Sequence, residues 1–178
     1  MKITCISLLL LFSFLACQTK TKQDESKEKT IVADDSATAL SKRPGPDAPR
    51  TVPDRLVRAL YFEHNKTENP LRDKKNRALI DEFFTKPTAD IIWNDVQKSS
   101  GRVNRTKTNL LYNAPDANIK KMWVEPAAIG GTRAIVYVTF TNKDKPEEVK
   151  IDMQQVAGRW GITEINYPND QQLTKMLK

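Results

Sequence analysis

From residue 119 to residue 167 the apolar side chains recur at every second position. A period of two places alternate residues on opposite faces of an extended chain, so one face is buried while the other meets water. The runs 119–125, 133–141, 147–156 and 160–167 each keep that rhythm. They are separated by Gly130-Gly131, by a polar turn at 142–146 and by Ala157-Gly158. Connections this short join antiparallel neighbours. The run 133–141 (RAIVYVTFT) has the strongest β composition. In 147–156, Val149, Ile151 and Met153 alternate with Lys150, Asp152 and Gln154. Three to four hairpin-linked strands are the expectation.

Ahead of the strands the period is helical. Pro53 suits a first helical turn, where its missing N–H costs nothing. Leu56, Val57, Leu60, Tyr61 and His64 then share one face, predicting a helix that ends near Asn65. A second helix is predicted over 73–84, with Leu79, Ile80, Phe83 and Phe84 as its stripe. A third is predicted over 88–98, with Thr88 as N-cap. It would bury Ile91, Ile92 and Val96, with Trp93 beside them. Within the polar stretch 99–117, Leu110, Leu111 and Tyr112 read either as a short strand or as a packed loop. Residues 169–177 predict a short closing helix. Helices segregated from strands imply an α+β domain, here over 52–178, with N-terminal helices packed on a curved antiparallel sheet.

Residues 1–16 carry one lysine and an apolar stretch at 6–16. A bilayer span needs about 20 apolar residues, so this segment reads as a signal peptide. It ends Phe14-Leu15-Ala16-Cys17, which resembles the bacterial lipobox. That resemblance implies a diacylglycerol on Cys17 and a membrane partner through it. The chain then belongs to the bacterial cell envelope, on the periplasmic face or the cell surface. By the same resemblance, Gln18 in place of an inner-membrane-retaining Asp favours the outer membrane. Residues 17–51 follow as a charged tether without aromatic residues, expected to be disordered. A flexible chain of that length spans roughly 30 Å.

The run Val57-Arg58-Ala59-Leu60-Tyr61 with His64-Asn65-Lys66 is the first of three further motifs. The second is Phe-Phe-Thr-Lys-Pro-Thr-Ala-Asp at 83–90, and the third is the strand Trp160-Gly161-Ile162-Thr163-Glu164-Ile165-Asn166-Tyr167. In this order they resemble the NTF2-like cone fold, and within it the lipoprotein family DUF3828. The stretch 94–117 aligns with nothing in that family. The resemblance implies a concave pocket between sheet and helices, an open sheet face suited to a homodimer, and no established activity. Candidate pocket residues are Tyr61, His64, Trp93, Trp123 and Tyr137, with Asp95, Asp152 and Glu164 as further titratable groups. Each has a structural alternative: His64 as a helix C-terminal cation, and the tryptophans as core. Trp123 stands opposite Met122 and Val124, which favours an exposed rim position.

No catalytic constellation is visible. One histidine, no Gly-x-Ser-x-Gly and no thiol after processing leave nucleophilic catalysis without its parts. Zinc lacks a ligand pair, and no glycine-rich phosphate loop is present. No cofactor or metal is expected. The formal charge of +7 points first to nucleic acid. An envelope location removes that partner, and the basic clusters at 72–77, 102–107 and 120–121 read as solvated surface or as contacts to anionic polymers. The expectation is a membrane-anchored, non-enzymatic module that binds a protein or a small ligand. An immunity or inhibitor protein is the alternative, and an enzyme using the cone pocket a further one.

Overall fold

Alternation becomes burial along the central strands. The computed structural model describes residues 32–64, 71, 76–98 and 107–178. In β3 (Arg133–Asn142), Ala134, Val136, Val138 and Phe140 are buried. In β4 (Lys145–Val156), Val149, Ile151 and Met153 face the same way. The two strands pair antiparallel over the whole of β3, from Arg133↔Gln154 to Asn142↔Lys145. Their turn has Lys143 and Asp144 both left-handed, at φ 49° and 64°. Two consecutive left-handed residues match the twist of a two-residue hairpin. The turn into β5 (Arg159–Asn166) repeats this at Ala157 and Gly158.

The sheet has the order β1-β3-β4-β5, with β2 also paired to β3. It therefore has five strands rather than three to four. Strands β1 (Ile119–Val124) and β2 (Ala128–Gly130) share one edge of β3, paired with its far and near ends. The sequence between them contains Pro126, which cannot donate to a ladder. The register of β1 is irregular between Lys120 and Trp123, and Lys121 is left-handed at φ 52°. Such a bulge bends an edge strand away from pairing with another chain.

The helices after α1 (Val32–Ser41) pack on the buried face. The order after α1 is α2 (Val52–Arg58), a π-helical turn (Ala59–His64), α3 (Arg77–Phe83), α4 (Lys86–Gln97) and α5 (Leu173–Leu177). Helix α2 starts where Pro53 predicts, with Thr51 at its N-cap. The side chain of Asn76 caps α3 by accepting from Leu79 N–H at 3.1 Å. Helix α4 starts earlier than the predicted Thr88 N-cap. Thr85 stands at the N-cap and Pro87 in the first turn, where its ring is pre-set for a helix. Thr88 instead donates to Thr163 O at 2.8 Å, docking α4 on β5. Phe84 runs parallel beside Ile162, and Thr85 N–H donates to Ile162 O at 2.9 Å, covering part of that sheet edge.

Leu110, Leu111 and Tyr112 are a packed loop, all three buried. Asn109 Oδ1 accepts from Leu111 N–H at 2.9 Å and folds the loop on itself. Two phenols then hold it in place. Tyr61 donates to Leu111 O at 2.7 Å, and Tyr167 donates to Leu110 O.

The N-terminal segment differs from its expectation. Residues 32–51, assigned above to a disordered tether, form α1 and a strap along the outer sheet face. Gly130 comes so close to α1 that a Cβ there would stand 2.2 Å from Ser36 O. Arg43 lies over the Tyr137 ring at 4.1 Å and is bonded to Glu125 at 2.5 Å and Glu148 at 3.0 Å. These carboxylates hold its guanidinium charged well beyond the ordinary range. The strap's ion pairs come from residues distant in sequence, so local composition does not reveal them. The outer face, expected to stay open for a second copy, is covered over β2 and β3. Residues 1–31, with the signal peptide and Cys17, lie outside the described residues.

Candidate functional site: an arginine–tryptophan face

The space between sheet and helices, expected to be a pocket, is filled. Tyr61, Leu60, Phe83, Phe84, Ile92, Leu110, Leu111, Ile162 and Ile165 are all fully buried there. Tyr61 sits edge-on to Tyr112 with ring centroids 5.4 Å apart, and Tyr112 edge-on to Phe140 at 5.1 Å. Burial pushes the Tyr61 and Tyr112 phenols above their ordinary values, so both stay protonated. Tyr61 is thus a structural residue that spends its proton on the Leu111 carbonyl.

The other sequence candidates do not converge on one point. Trp93 is half-buried against the core. Tyr137 lies on the outer sheet face beneath Arg43. Asp95 is buried on α4. Asp152 is paired to Lys150 at 3.3 Å and accepts from Asn166 at 2.8 Å. Glu164 caps α5 by accepting from Thr174 N–H at 3.0 Å. His64 ends the π-helical turn, and its side chain lies outside the described residues. The basic residues at 72–75 and 102–106 lie outside them too.

A groove of about 940 Å³ lies between α4 and the β4–β5 hairpin, lined by Arg77, Phe84, Thr85, Val156, Arg159 and Trp160 among others. Its size suits a small ligand. Its polar groups, however, are engaged in holding the groove together. Arg77 is bonded to Asp81 at 2.9 Å and Asp90 at 2.6 Å, which keeps the Asp90 carboxyl below its ordinary range. Lys86 reaches Asp90 at 3.3 Å. Arg159 donates to the Asp81 carbonyl at the end of α3.

Trp123 is different. It is 44% exposed, and two guanidinium groups stack on its ring. Arg50 lies 4.9 Å from the ring centroid and Arg58 5.7 Å. Arg58 also lies 5.0 Å from the ring of Phe62, itself 38% exposed. The fold explains this meeting. The strap crosses the sheet edge at the break between β1 and β2 and delivers Arg50, whose Nη1 donates to Val124 O at 2.8 Å. Helix α2 then starts beneath that edge. Buried Asp54 fixes the crossing: Oδ1 accepts from Thr51 N–H at 2.8 Å, Thr51 Oγ1 at 2.6 Å and Ala127 N–H at 3.5 Å. Arg58 and Phe62, four residues apart, project from the helix continuing from there.

Beside them a recess of about 270 Å³ is lined by Arg55, Arg58, Ala59 and Phe62. Arg58 Nη1 is buried and has no hydrogen-bond partner among the described residues. Arg55 and Lys121 are exposed. The face thus joins two exposed aromatic rings to a group of cations, an arrangement suited to recognition rather than to bond making. Trp123 was legible in the sequence as a rim residue. Arg50 and Arg58 were not, although the spacing of Arg58 and Phe62 on one helix face was available as a signal.

No family model matches the chain, and no curated protein matches it. Two solved structures are similar at a distance. A chain of the type VI effector–immunity complex Tae3–Tai3 from Ralstonia pickettii is 19% identical, with a TM-score of 0.45, over 70% of this chain and 99% of that one. A phospholipid-binding protein from Ralstonia solanacearum, solved with a phospholipid, is 18% identical, with a TM-score of 0.35, over 82% of this chain and 78% of that one.

Proposed function

We propose that the chain is a non-enzymatic binding module of the bacterial envelope, anchored through lipid on Cys17, that engages a protein partner through the Trp123 face. One observation carries the reading. An exposed tryptophan has two arginines within cation–π distance of its ring, and one of them also meets an exposed phenylalanine. Tryptophan and arginine are the side chains that dominate protein–protein hot spots. The anchor rests on the apolar stretch and the Phe14-Leu15-Ala16-Cys17 motif. An immunity-type role, in which the partner is an enzyme or toxin covered by this face, is the same reading with a narrower partner. An enzymatic role is disfavoured by the filled interior, where Tyr61 serves the backbone.

The test uses the full chain in a bacterial envelope. Labelled palmitate is expected to enter the wild type and not Cys17→Ala. A stoichiometric partner is expected to co-purify with wild type and with the groove variant Val156→Ser. Trp123→Ala should weaken its affinity by about thirtyfold, the equivalent of about 2 kcal/mol at a hot spot. A partner kept by Trp123→Ala and lost by Val156→Ser overturns the assignment.

A further inference from the structure

We infer that the partner presents an acidic protein segment to this face, with one carboxylate entering the recess lined by Arg55, Arg58, Ala59 and Phe62. The inference rests on the reading of the Trp123 face as a protein-binding surface and names the chemistry of its ligand.

The molecule supplies its own template. Arg43 stacks on the Tyr137 ring at 4.1 Å, and its guanidinium edge is taken by the carboxylates of Glu125 and Glu148. Arg58 repeats the first half of that arrangement with the rings of Phe62 and Trp123. Among the described residues it lacks the second half, and its buried Nη1 has no hydrogen-bond partner there. A buried donor on a cation is costly to leave unmade. The planar guanidinium fork matches a carboxylate with two parallel bonds.

The charge around the recess agrees. Arg55 and Arg58 line it and Arg50 shares the Trp123 ring with Arg58, while Asp54, the carboxylate 3.5 Å from Arg50, is buried and accepts from Thr51 and Ala127. Backbone geometry adds a third observation. Arg58 is the last residue before the π-helical turn, a form of helix that recurs at functional sites. The choice of a protein over a lipid surface follows from rigidity. Ring-clamped arginines present a fixed fork to one position, whereas membrane charge is met by flexible, fully solvated cations.

The experiment titrates the purified full chain with acetyl-hexaglutamate amide and with the hexaglutamine analogue, reading tryptophan emission. Trp123 is the most exposed of the three tryptophans, since Trp93 is half-buried and Trp160 is 9% exposed. Hexaglutamate is expected to shift the emission saturably, and hexaglutamine is not. Arg58→Gln and Arg58→Lys should each weaken binding at least tenfold, the lysine variant because it keeps the charge and loses the fork. Arg43→Gln should leave binding unchanged. Circular dichroism checks that each variant is folded. Equal binding by Arg58→Gln and wild type overturns the inference. So does an Arg58-dependent response to phosphatidylglycerol vesicles or inorganic phosphate with none to hexaglutamate. If hexaglutamate fails while Trp123→Ala still releases the native partner, the binding face stands and the acidic ligand falls.

Discussion

Replacing Asp54 by alanine is expected to remove about 3 kcal/mol of folding stability, read from the urea midpoint. The carboxylate is fully buried, and Oδ1 alone accepts from Thr51 N–H, Thr51 Oγ1 and Ala127 N–H. Oδ2 lies 3.5 Å from Arg50 Nη1. Truncation orphans two backbone donors at the point where strap, helix and sheet edge meet. It also removes the acid beside a half-buried arginine, and losing one partner of such a pair is costly. Asp54→Asn keeps an acceptor and should cost about half as much. A second readout separates this mechanism from a generic loss of packing. Arg50 should loosen from the Trp123 ring, so acrylamide should quench Trp123 more readily under conditions where the chain is still folded. A midpoint within about 0.5 kcal/mol of wild type contradicts the role assigned to Asp54.

Gly130→Val is expected to release the strap. A Cβ at residue 130 would lie 2.2 Å from Ser36 O and 2.8 Å from Leu40 Cγ. The first contact is with backbone, so no side-chain rotation relieves it, and α1 must move off the sheet. Overpacking of this kind costs about 1–3 kcal/mol. The effect should be local. Trypsin should cut rapidly at Lys42 and Arg50, while the sheet amides of β3 and β4 keep their exchange protection. Gly158→Asn is the contrast. Gly158 is left-handed at φ 78° with open space around its missing Cβ, and asparagine tolerates that region. It should leave the tryptic pattern unchanged. An unchanged pattern for Gly130→Val would contradict the close docking of α1.

The strand half of the fold was legible because alternation is a local property. Val149, Ile151 and Met153 are buried in β4, and Ala134, Val136, Val138 and Phe140 in β3, as a period of two requires. The broken first strand was not legible, since Pro126 divides β1 from β2 while both still reach β3. The strap was not legible either. Its segment 32–51 is short of aliphatic residues. Its docking depends on a missing side chain at Gly130 and on Glu125 and Glu148, both far away in the chain. In the site, Trp123 declared itself by standing opposite Met122 and Val124. Tyr61 and Tyr137 misled for one physical reason. A tyrosine in an apolar pattern needs a polar partner for its hydroxyl or a cation for its ring. Here the Leu111 carbonyl and Arg43 supply those, which leaves neither tyrosine in a pocket. Arg50 and Arg58 escaped notice because each lies outside the dense basic runs, and only the strap's path brings Arg50 to the tryptophan.

The account's central claim is that recognition takes place on the Trp123 face rather than in the interior between sheet and helices or in the α4 groove. Site-specific photocross-linking tests it most directly. The full chain, expressed in a bacterial envelope, carries p-benzoylphenylalanine in place of Trp123 or, separately, in place of Val156 beside the groove. The account predicts one discrete protein adduct from position 123 and none from position 156. An adduct from position 156 with none from position 123 would contradict it.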